Sequence, residues 1–181
     1  IPNSVTSIGY AAFWGCNCLA DITLPDSLTF LDHGVFYNTG YYNNSSNWVD
    51  GVLYIGKHLI EANTSLSGDY TIKSGTLTIS SCAFQACYNL TGVTIPDSVI
   101  SIGEDVFWDC DSLKEIAIPN SVTNIGDNAF YNCESLKSIT IPDSVISIGE
   151  GAFFGCESLK QVIFSSNSPL LNDIKNKKYQ N

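Results

Sequence analysis

Cysteine and histidine are the side chains of this sequence that could support nucleophilic or metal chemistry. The chain has seven cysteines and two histidines, and neither His33 nor His58 lies in a recognisable motif. A catalytic thiol needs a base close by. Zinc sites favour pairs of cysteines in C-x2-C spacing, whereas a single residue separates Cys16 from Cys18. No G-x-S-x-G, H-E-x-x-H, P-loop or dinucleotide-binding signature occurs either. We therefore predict no catalytic residue, no metal site and no cofactor.

Five of the cysteines fall at one position of an internal repeat, where a disulfide framework would be unusual. They are Cys16, Cys87, Cys110, Cys133 and Cys156. Free cysteine is among the most buried residue types and behaves as a small apolar side chain. We predict that these thiols are structural, free and buried where the chain turns into a strand. A single bridge involving Cys18 or Cys82 is the alternative.

The repeat is 23 residues long. Ile118 to Thr140 reads IPNSVTNIGDNAFYNCESLKSIT, and Ile141 to Ile163 reads IPDSVISIGEGAFFGCESLKQVI. Leu24 to Thr39 supplies the first sixteen positions of a partial unit. The complete units begin at Ile1, Ile72, Ile95, Ile118 and Ile141. We predict one solenoid over residues 1–164, interrupted at residues 40–71 and followed by a tail or cap at residues 165–181.

The spacing of apolar residues within a unit indicates a coil that folds back on itself. Apolar side chains mostly hold positions 1, 5, 8, 13, 19 and 22, which fits neither the period of one helix nor that of one strand. Leu-x-x-Ile-x-Ile predicts a short strand, positions 5–9 predict a second extended edge, and Ala-Phe-x-x-Cys predicts one helical or 3₁₀ turn. Stacked coils share a core that one coil cannot form alone. The position-13 side chains would then form a buried spine: Phe13, Phe36, Phe84, Phe107, Phe130 and Phe153.

The recurring motif C-x-x-L-x-x-I-x-I-P-x-S-V-x-x-I-G-x-x-A-F resembles the BspA-type leucine-rich repeat family, and it covers about three quarters of the chain. The DGVLYIGKHLIEA segment of the interruption also resembles an insertion seen in such proteins. The resemblance implies a leucine-rich-repeat solenoid of the α/β horseshoe class, mostly short parallel β-strands with short 3₁₀ or helical turns. It also implies a cell-surface or secreted location and a role in adhesion or recognition, without catalytic residues.

Equal positions of successive units line up in a solenoid, so columns of side chains define its surfaces. Position 14 predicts a partly exposed aromatic stripe, because aromatic rings recur there. The residues are Trp14, Tyr37, Trp108, Tyr131 and Phe154, with Gln85 as the exception. Such a stripe could be a platform for a protein or a glycan. Alternatively, each ring covers the apolar edge of its neighbour.

Charged residues also form columns. Asp111, Glu134 and Glu157 occupy position 17, and lysines occupy position 20 of the same units. We predict a solvated ladder of opposite charges, in which each pair contributes little to stability. A third, acidic column consists of Glu104, Asp127 and Glu150 at position 10. Calcium prefers several oxygens converging from one loop, so one carboxylate per unit is weak support for a calcium site.

The interruption is rich in aromatic residues. Tyr41, Tyr42, Trp48 and Tyr54 lie there among Asn and Ser, and residues 52–62 predict a β-hairpin. Long excursions from a compact scaffold are often functional, which makes these four residues ligand-binding candidates. Alternatively, the aromatic rings form a lid where the second unit stops early.

Composition narrows the possible partners. With 18 acidic and 8 basic residues, a net charge of −10 makes a nucleic-acid partner improbable, and no apolar run approaches the ~18 residues of a membrane span. No Met or capping segment precedes Ile1, so we expect upstream sequence to have been removed. The leading hypothesis is a non-enzymatic, extracellular recognition or adhesion module. Its partner would be another protein, from a host, the matrix or a neighbouring cell; a glycan partner is the alternative.

Overall fold

The structure is a computed structural model that describes residues 1–165 and 167–170. It is a parallel β-solenoid of about seven turns, here called rungs 1 to 7. Rungs 1, 2 and 4 to 7 are the repeat units in chain order, and rung 3 is formed by residues 48–71. The solenoid predicted from the repeat is therefore confirmed. Residues 171–181, where the tail was predicted to form a cap, lie outside the described residues.

The strands are short, from two to six residues. In chain order they are β1 (Ser7–Ile8), β2 (Phe30–Leu31), β3 (Trp48–Val49), β4 (Val52–Ile55), β5 (His58–Ala62), β6 (Ser67–Thr71), β7 (Thr78–Ile79), β8 (Asn89–Thr94), β9 (Ser101–Ile102), β10 (Glu115–Ala117), β11 (Asn124–Ile125), β12 (Ser138–Ile141), β13 (Ser147–Ile148) and β14 (Gln161–Phe164). Helical structure in the described residues is limited to α1 (Gly40–Asn43) and one 3₁₀ turn (Ser45–Asn47).

Parallel ladders connect equal positions of successive rungs. The longest sheet has the strand order β14-β12-β10-β8-β6, and a second ladder has the order β13-β11-β9. In the first, Ile139 pairs with Val162; in the second, Ile125 pairs with Ile148, so both registers are 23 residues. The two extended edges predicted for each unit are therefore present in the regular rungs, 4 to 7.

The turn that contains the position-13 phenylalanine is not the helical or 3₁₀ turn expected from the sequence. In all six repeat units, those of rungs 1, 2 and 4 to 7, the backbone φ is positive at positions 11 and 15. The residues are Ala11, Gly15, Gly34, Asn38, Cys82, Ala86, Asp105, Asp109, Asn128, Asn132, Gly151 and Gly155. Nine of these twelve are Gly, Asn or Asp, the residues that best tolerate this left-handed region. Alternation of backbone handedness directs every second N–H towards the next rung, as in Phe107 N–H to the Ala129 carbonyl at 2.9 Å.

Stacked phenylalanines form the centre of the core. The rings of Phe84, Phe107, Phe130 and Phe153 follow one another with centroids 5.3 to 5.6 Å apart. Phe13 and Phe36 form a separate pair at 5.5 Å. The spine is thus divided in two, and the buried residues fall into two clusters: an N-terminal cluster around Phe36 and a C-terminal cluster extending through rungs 4 to 7.

The interruption forms a rung between these clusters. Strands β4 and β5 form an antiparallel hairpin, and β5 and β6 then pair in parallel with β7 and β8 of rung 4. Side chains on the two faces of the hairpin are buried in different clusters. Leu53, Ile55 and Ile60 join the N-terminal cluster, whereas Val52, Tyr54, Leu59 and Ala62 join the C-terminal one. The segment is therefore an irregular layer of the stack and not a loop that leaves the scaffold. Its residues Tyr41, Tyr42 and Trp48 pack against the N-terminal cluster, as the alternative of an aromatic lid predicted.

The cysteines are all free, and the position-16 thiols of rungs 4 to 7 each donate to a backbone carbonyl. Cys110, Cys133 and Cys156 are buried, and each thiol donates to the phenylalanine carbonyl of the preceding rung at 3.1 to 3.2 Å. The prediction of buried free thiols holds for rungs 4 to 7. It is wrong for Cys16, which is exposed.

The charged columns do not form ion pairs. Across residues 1–165 and 167–170, the one salt bridge joins Lys57 to Asp26 in the N-terminal half. The predicted solvated ladder of opposite charges in rungs 5 to 7 therefore contains no close ion pair within the described residues. Burial raises the pKa of Asp111, and the like charge of the neighbouring Glu134 in the same column adds to that shift.

Candidate recognition surface

Four aromatic residues from rungs 1 to 3 form a continuous row, here called the N-terminal row: Trp14, Tyr37, Tyr42 and Trp48. Successive ring centroids are 4.5, 4.9 and 5.2 Å apart. Trp14 is 47% exposed and Tyr37 is 38% exposed, whereas Tyr42 and Trp48 are half-buried. The structure therefore brings two position-14 residues together with two residues of the interruption.

The remaining position-14 aromatics form a second row, here called the C-terminal row: Trp108, Tyr131 and Phe154. Their ring centroids are 4.5 and 5.0 Å apart and the rings are stacked. Phe154 is 54% exposed, and the other two rings are half-buried. The two rows do not join, since rung 3 has no aromatic residue at the corresponding place and rung 4 has Gln85.

Two of the predicted ligand-binding residues are structural. Tyr54 is only 7% exposed and belongs to the C-terminal core cluster, so its candidacy as a surface residue is corrected. Its hydroxyl lies 3.2 Å from the Tyr70 hydroxyl. Tyr41 packs against the N-terminal cluster and donates a hydrogen bond to the Tyr54 carbonyl at 2.9 Å.

A cleft separates the turn of rung 2 from the turn of rung 4. Rung 3 lacks the turn because β5 is followed almost directly by β6, with only residues 63–66 between them. Asn63 takes the place of the missing phenylalanine, since its carbonyl lies 3.6 Å from the thiol of Cys87. The shortened rung leaves the space that a regular turn fills elsewhere.

The cleft consists of two adjoining cavities, of about 340 and 640 Å³. The smaller one lies between the turns of rungs 2 and 4, and its lining includes His33, Ser81, Cys82 and Asp109. The larger one lies towards the interruption, and its lining includes Tyr42, Asn43, Trp48 and Asn63. Tyr37, Glu61, Ala62 and Thr64 line both cavities.

Glu61 is the acidic side chain common to both cavities. The Tyr42 hydroxyl donates a hydrogen bond to its Oε1 at 2.8 Å, and the Trp48 indole N–H donates to the Tyr42 carbonyl at 2.8 Å. Burial raises the pKa of Glu61, although the hydrogen bond from Tyr42 opposes that shift. Sequence analysis did not single out Glu61. The available signal was an acidic residue within the otherwise apolar strand HLIEA.

Cys82 and His33 both line the smaller cavity, but their environment is unsuited to thiol chemistry. Burial and the nearby Asp105 and Asp32 raise the pKa of Cys82 to about 12. A nucleophilic thiol needs the opposite shift, which positive neighbours produce. No group of three or more His, Cys, Asp or Glu placed to hold a metal occurs in the described part of the chain. Within that part, no helix has the length and apolar character to cross a bilayer.

Stacked 23-residue rungs, a phenylalanine spine and buried position-16 thiols define a leucine-rich-repeat solenoid. Residues 1–87 and 77–181 match the sequence model of the BspA type leucine rich repeat region, in six copies. The chain belongs to this family.

Solved bacterial structures share the fold. A leucine rich cell surface protein from Faecalibacterium prausnitzii A2-165 is 30% identical with a TM-score of 0.58, covering 94% of this chain and 54% of that one. The pneumococcal vaccine antigen PcpA is 26% identical with a TM-score of 0.66, covering 90% and 43%. A leucine-rich repeat protein from Bacteroides capillosus ATCC 29799 is 29% identical with a TM-score of 0.53, covering 64% and 99%. No curated protein sequence matches the chain.

The chain spans about half the length of the first two of these structures. The similarity therefore concerns the repeat region, and activities of the whole relatives pass to this chain only as proposals.

Proposed function

We propose that this chain is a non-enzymatic recognition module of a cell-surface or secreted protein and that it binds another extracellular protein through the N-terminal row and the adjoining cleft. The observation on which this rests is the continuous run of aromatic rings beside an open cavity, in which Trp14 and Tyr37 are exposed and Tyr42 and Trp48 are half-buried. Large rigid aromatic side chains give extensive contact area at low entropic cost, and they are enriched among the residues that dominate protein–protein binding.

The extracellular placement is supported by the relatives. One similar protein is described as a cell surface protein and another as a vaccine antigen. The absence of enzymatic activity is supported by the site: the thiol in the cleft has a raised pKa, and sequence analysis found no catalytic motif. We also propose that residues 1–164 act as one solenoid, with residues 165–181 as its tail or cap.

Glycan binding is the second candidate, favoured by the mixed chemistry of the larger cavity. Asn43 and Asn63 supply amide groups that both donate and accept hydrogen bonds, and they line this cavity together with Tyr42 and Trp48. Amides beside aromatic rings suit a sugar, which presents hydroxyl groups around an apolar ring face.

Site-specific photo-crosslinking tests the protein-binding proposal. We would replace Tyr37 with a benzophenone amino acid, expose the chain to proteins of its native surroundings, and identify the adducts by mass spectrometry. The expected result is a discrete protein adduct that excess unlabelled chain abolishes. The matched control places the same probe at Phe154 of the C-terminal row, where no adduct is expected. Equal labelling at both positions would contradict a binding surface at the N-terminal row.

A glycan array decides between the two candidates. Binding of one sugar class that disappears when Tyr41, Tyr42 and Trp48 are replaced by alanine would favour the glycan. Retention of a protein without any sugar signal favours the protein. Circular dichroism of the triple variant shows whether the solenoid is intact.

A further inference from the structure

The cleft between rungs 2 and 4 has the composition of a site for a positively charged group. We propose that it receives a lysine or arginine side chain of the partner protein, held between the Glu61 carboxylate and the aromatic residues of the N-terminal row. This inference rests on the proposed function in that it takes the partner to be a protein, and it names the group that the protein presents.

The charge of the cleft is the first reason. Glu61 lines both cavities and Asp109 lines the smaller one, while no lysine of residues 1–165 or 167–170 lines either cavity. His33 is the one basic side chain in either lining. Since the chain as a whole has a net charge of −10, the approach of a cation is favoured at long range as well.

The unpaired state of Glu61 is the second reason. Its hydrogen-bond partner is the neutral hydroxyl of Tyr42, and no ion pair involving Glu61 exists within the described ranges. Burial raises the pKa of Glu61 although Tyr42 and His33 both oppose that shift, so the protein's own groups compensate the buried carboxylate only in part. A bound ammonium or guanidinium group would supply the missing charge through charge-assisted hydrogen bonds.

The aromatic wall is the third reason. Tyr37, Tyr42 and Trp48 line the larger cavity, and their rings are tilted or perpendicular to one another, so that their faces do not cover each other fully. A cation over an aromatic face is attracted by the ring quadrupole. The same chemistry already occurs in this chain, where Lys73 Nζ lies 4.2 Å from the ring centroid of Tyr54.

The test is an NMR titration of the full chain with short probe peptides. The probes are N-acetylated, C-amidated Gly-Lys-Gly and Gly-Arg-Gly, and the matched neutral probe is the same lysine peptide with its side chain acetylated. We expect the charged peptides to produce saturable shifts confined to residues lining the cleft and the acetylated peptide to produce none. In Glu61→Gln the affinity should fall about tenfold or more, the usual loss when a charged hydrogen-bond partner is removed.

The control variant is Glu134→Gln, which removes an exposed carboxylate from the regular rungs and should leave binding unchanged. If the acetylated peptide bound as well as the charged one, or if Glu61→Gln and Glu134→Gln weakened binding equally, the inference would be wrong. In Glu61→Gln the glutamine keeps an acceptor for the Tyr42 hydroxyl. A second variant, Asp109→Asn, removes the other carboxylate of the cleft and leaves that hydrogen bond untouched.

The results also separate this inference from the proposed function. A photo-crosslinked protein partner whose binding is unaffected by Glu61→Gln would leave the proposed function standing and overturn the cation site. Specific binding of the lysine peptide in the absence of any protein adduct would support the site and overturn protein recognition through the N-terminal row.

Discussion

The two aromatic rows begin from the same repeat position but end in different arrangements. In the C-terminal row the rings of Trp108 and Tyr131 are inclined by 30°, and those of Tyr131 and Phe154 by 19°. In the N-terminal row the inclination grows from 39° between Trp14 and Tyr37 to 86° at Trp48. In the regular rungs, the rings of the C-terminal row are attached to the same backbone geometry and therefore have similar orientations. The backbone of rung 3 differs, so the rings near it are oriented differently.

The difference indicates where a ligand can act. Rings stacked at the rung spacing occupy each other's faces and leave mainly their edges to solvent, so the C-terminal row stabilises the stack. The tilted rings of the N-terminal row have partly uncovered faces and lie beside a cleft. The repeat therefore accounts for the solenoid scaffold, whereas the irregular rung 3 accounts for the cleft beside the N-terminal row.

The strongest test of the regular half is the substitution Phe130→Ala beneath the C-terminal row. Phe130 is fully buried between Phe107 and Phe153, so its loss should lower the free energy of unfolding by about 3–5 kcal/mol in urea denaturation. The matched variant Phe153→Ala, at a half-buried position, should cost clearly less. Equal losses would mean that the spine is not a shared core.

The hairpin allows the two core clusters to be weakened separately. Leu53 and Leu59 are both fully buried, but Leu53 lies in the N-terminal cluster and Leu59 in the C-terminal one. Each replacement by alanine should cost about 2–5 kcal/mol. In hydrogen exchange, Leu53→Ala should increase exchange mainly in rungs 1 and 2, and Leu59→Ala mainly in rungs 4 and 5. Identical exchange patterns would show that the clusters unfold as one unit.

The rows themselves should respond differently to loss of one ring. Tyr131→Ala removes two stacked contacts, each contributing about 0.5–1.5 kcal/mol, and should lower the melting temperature without affecting partner binding. Trp48→Ala removes an edge contact and should abolish most of the crosslinking at Tyr37. A loss of binding in the Tyr131 variant would contradict the division of roles between the rows.

The smallest effect concerns His58, which joins the irregular rung to rung 4. It is fully buried, its Nδ1 lies 2.7 Å from the Thr78 hydroxyl, and burial lowers its pKa from 6.5. His58 therefore binds a proton at a higher pH in the unfolded chain than in the folded chain. As a result, the free energy of unfolding falls as the pH drops below about 6.5, until the pKa of His58 in the folded state is reached. His58→Gln should lack this part of the pH dependence.

Comparing the original protein with the His58→Gln variant isolates the contribution of His58 to the pH dependence of stability. Burial raises the pKa of Glu61 and Asp105, which acts in the opposite direction, but both carboxylates are present in both proteins and cancel in the difference. Urea denaturation of both proteins between pH 5 and 8 measures the difference in their free energies of unfolding. This pH range includes the ordinary pKa of histidine. Parallel curves would show that His58 does not titrate as proposed.

Much of the fold was predictable because the repeat is local and periodic. The period, the buried phenylalanines, the buried thiols of Cys110, Cys133 and Cys156, and the two strand columns all follow from side-chain type at fixed spacing. The left-handed residues were missed, although Gly, Asn and Asp at positions 11 and 15 were a visible signal. Ala11, Cys82 and Ala86 obscured it, because the stack holds these three in a conformation that their own preferences disfavour.

The site was less predictable because it results from a missing turn. Tyr37, Tyr42 and Trp48 could be proposed from composition, but their contact depends on how β5 pairs with rung 4. Tyr54 and Glu61 illustrate the difficulty: both lie in the hairpin, yet one is buried in the core and the other lines the cleft. Alternation along a strand buried on both faces does not show which face opens to solvent.

Because residues with positive φ recur at two fixed positions of each unit, the chain can be lengthened or shortened without disturbing the fold only by whole 23-residue units. Deleting residues 118–140 would join Ala117 directly to Ile141 and return every later residue to an equivalent place, giving a shorter array with the same seams between layers. Deleting one residue fewer would move Phe154 into the left-handed position 15 and put the backbone hydrogen bonds between the last rung and the preceding rung out of register. Natural variants of this protein should therefore differ by complete units, gained or lost by duplication and excision.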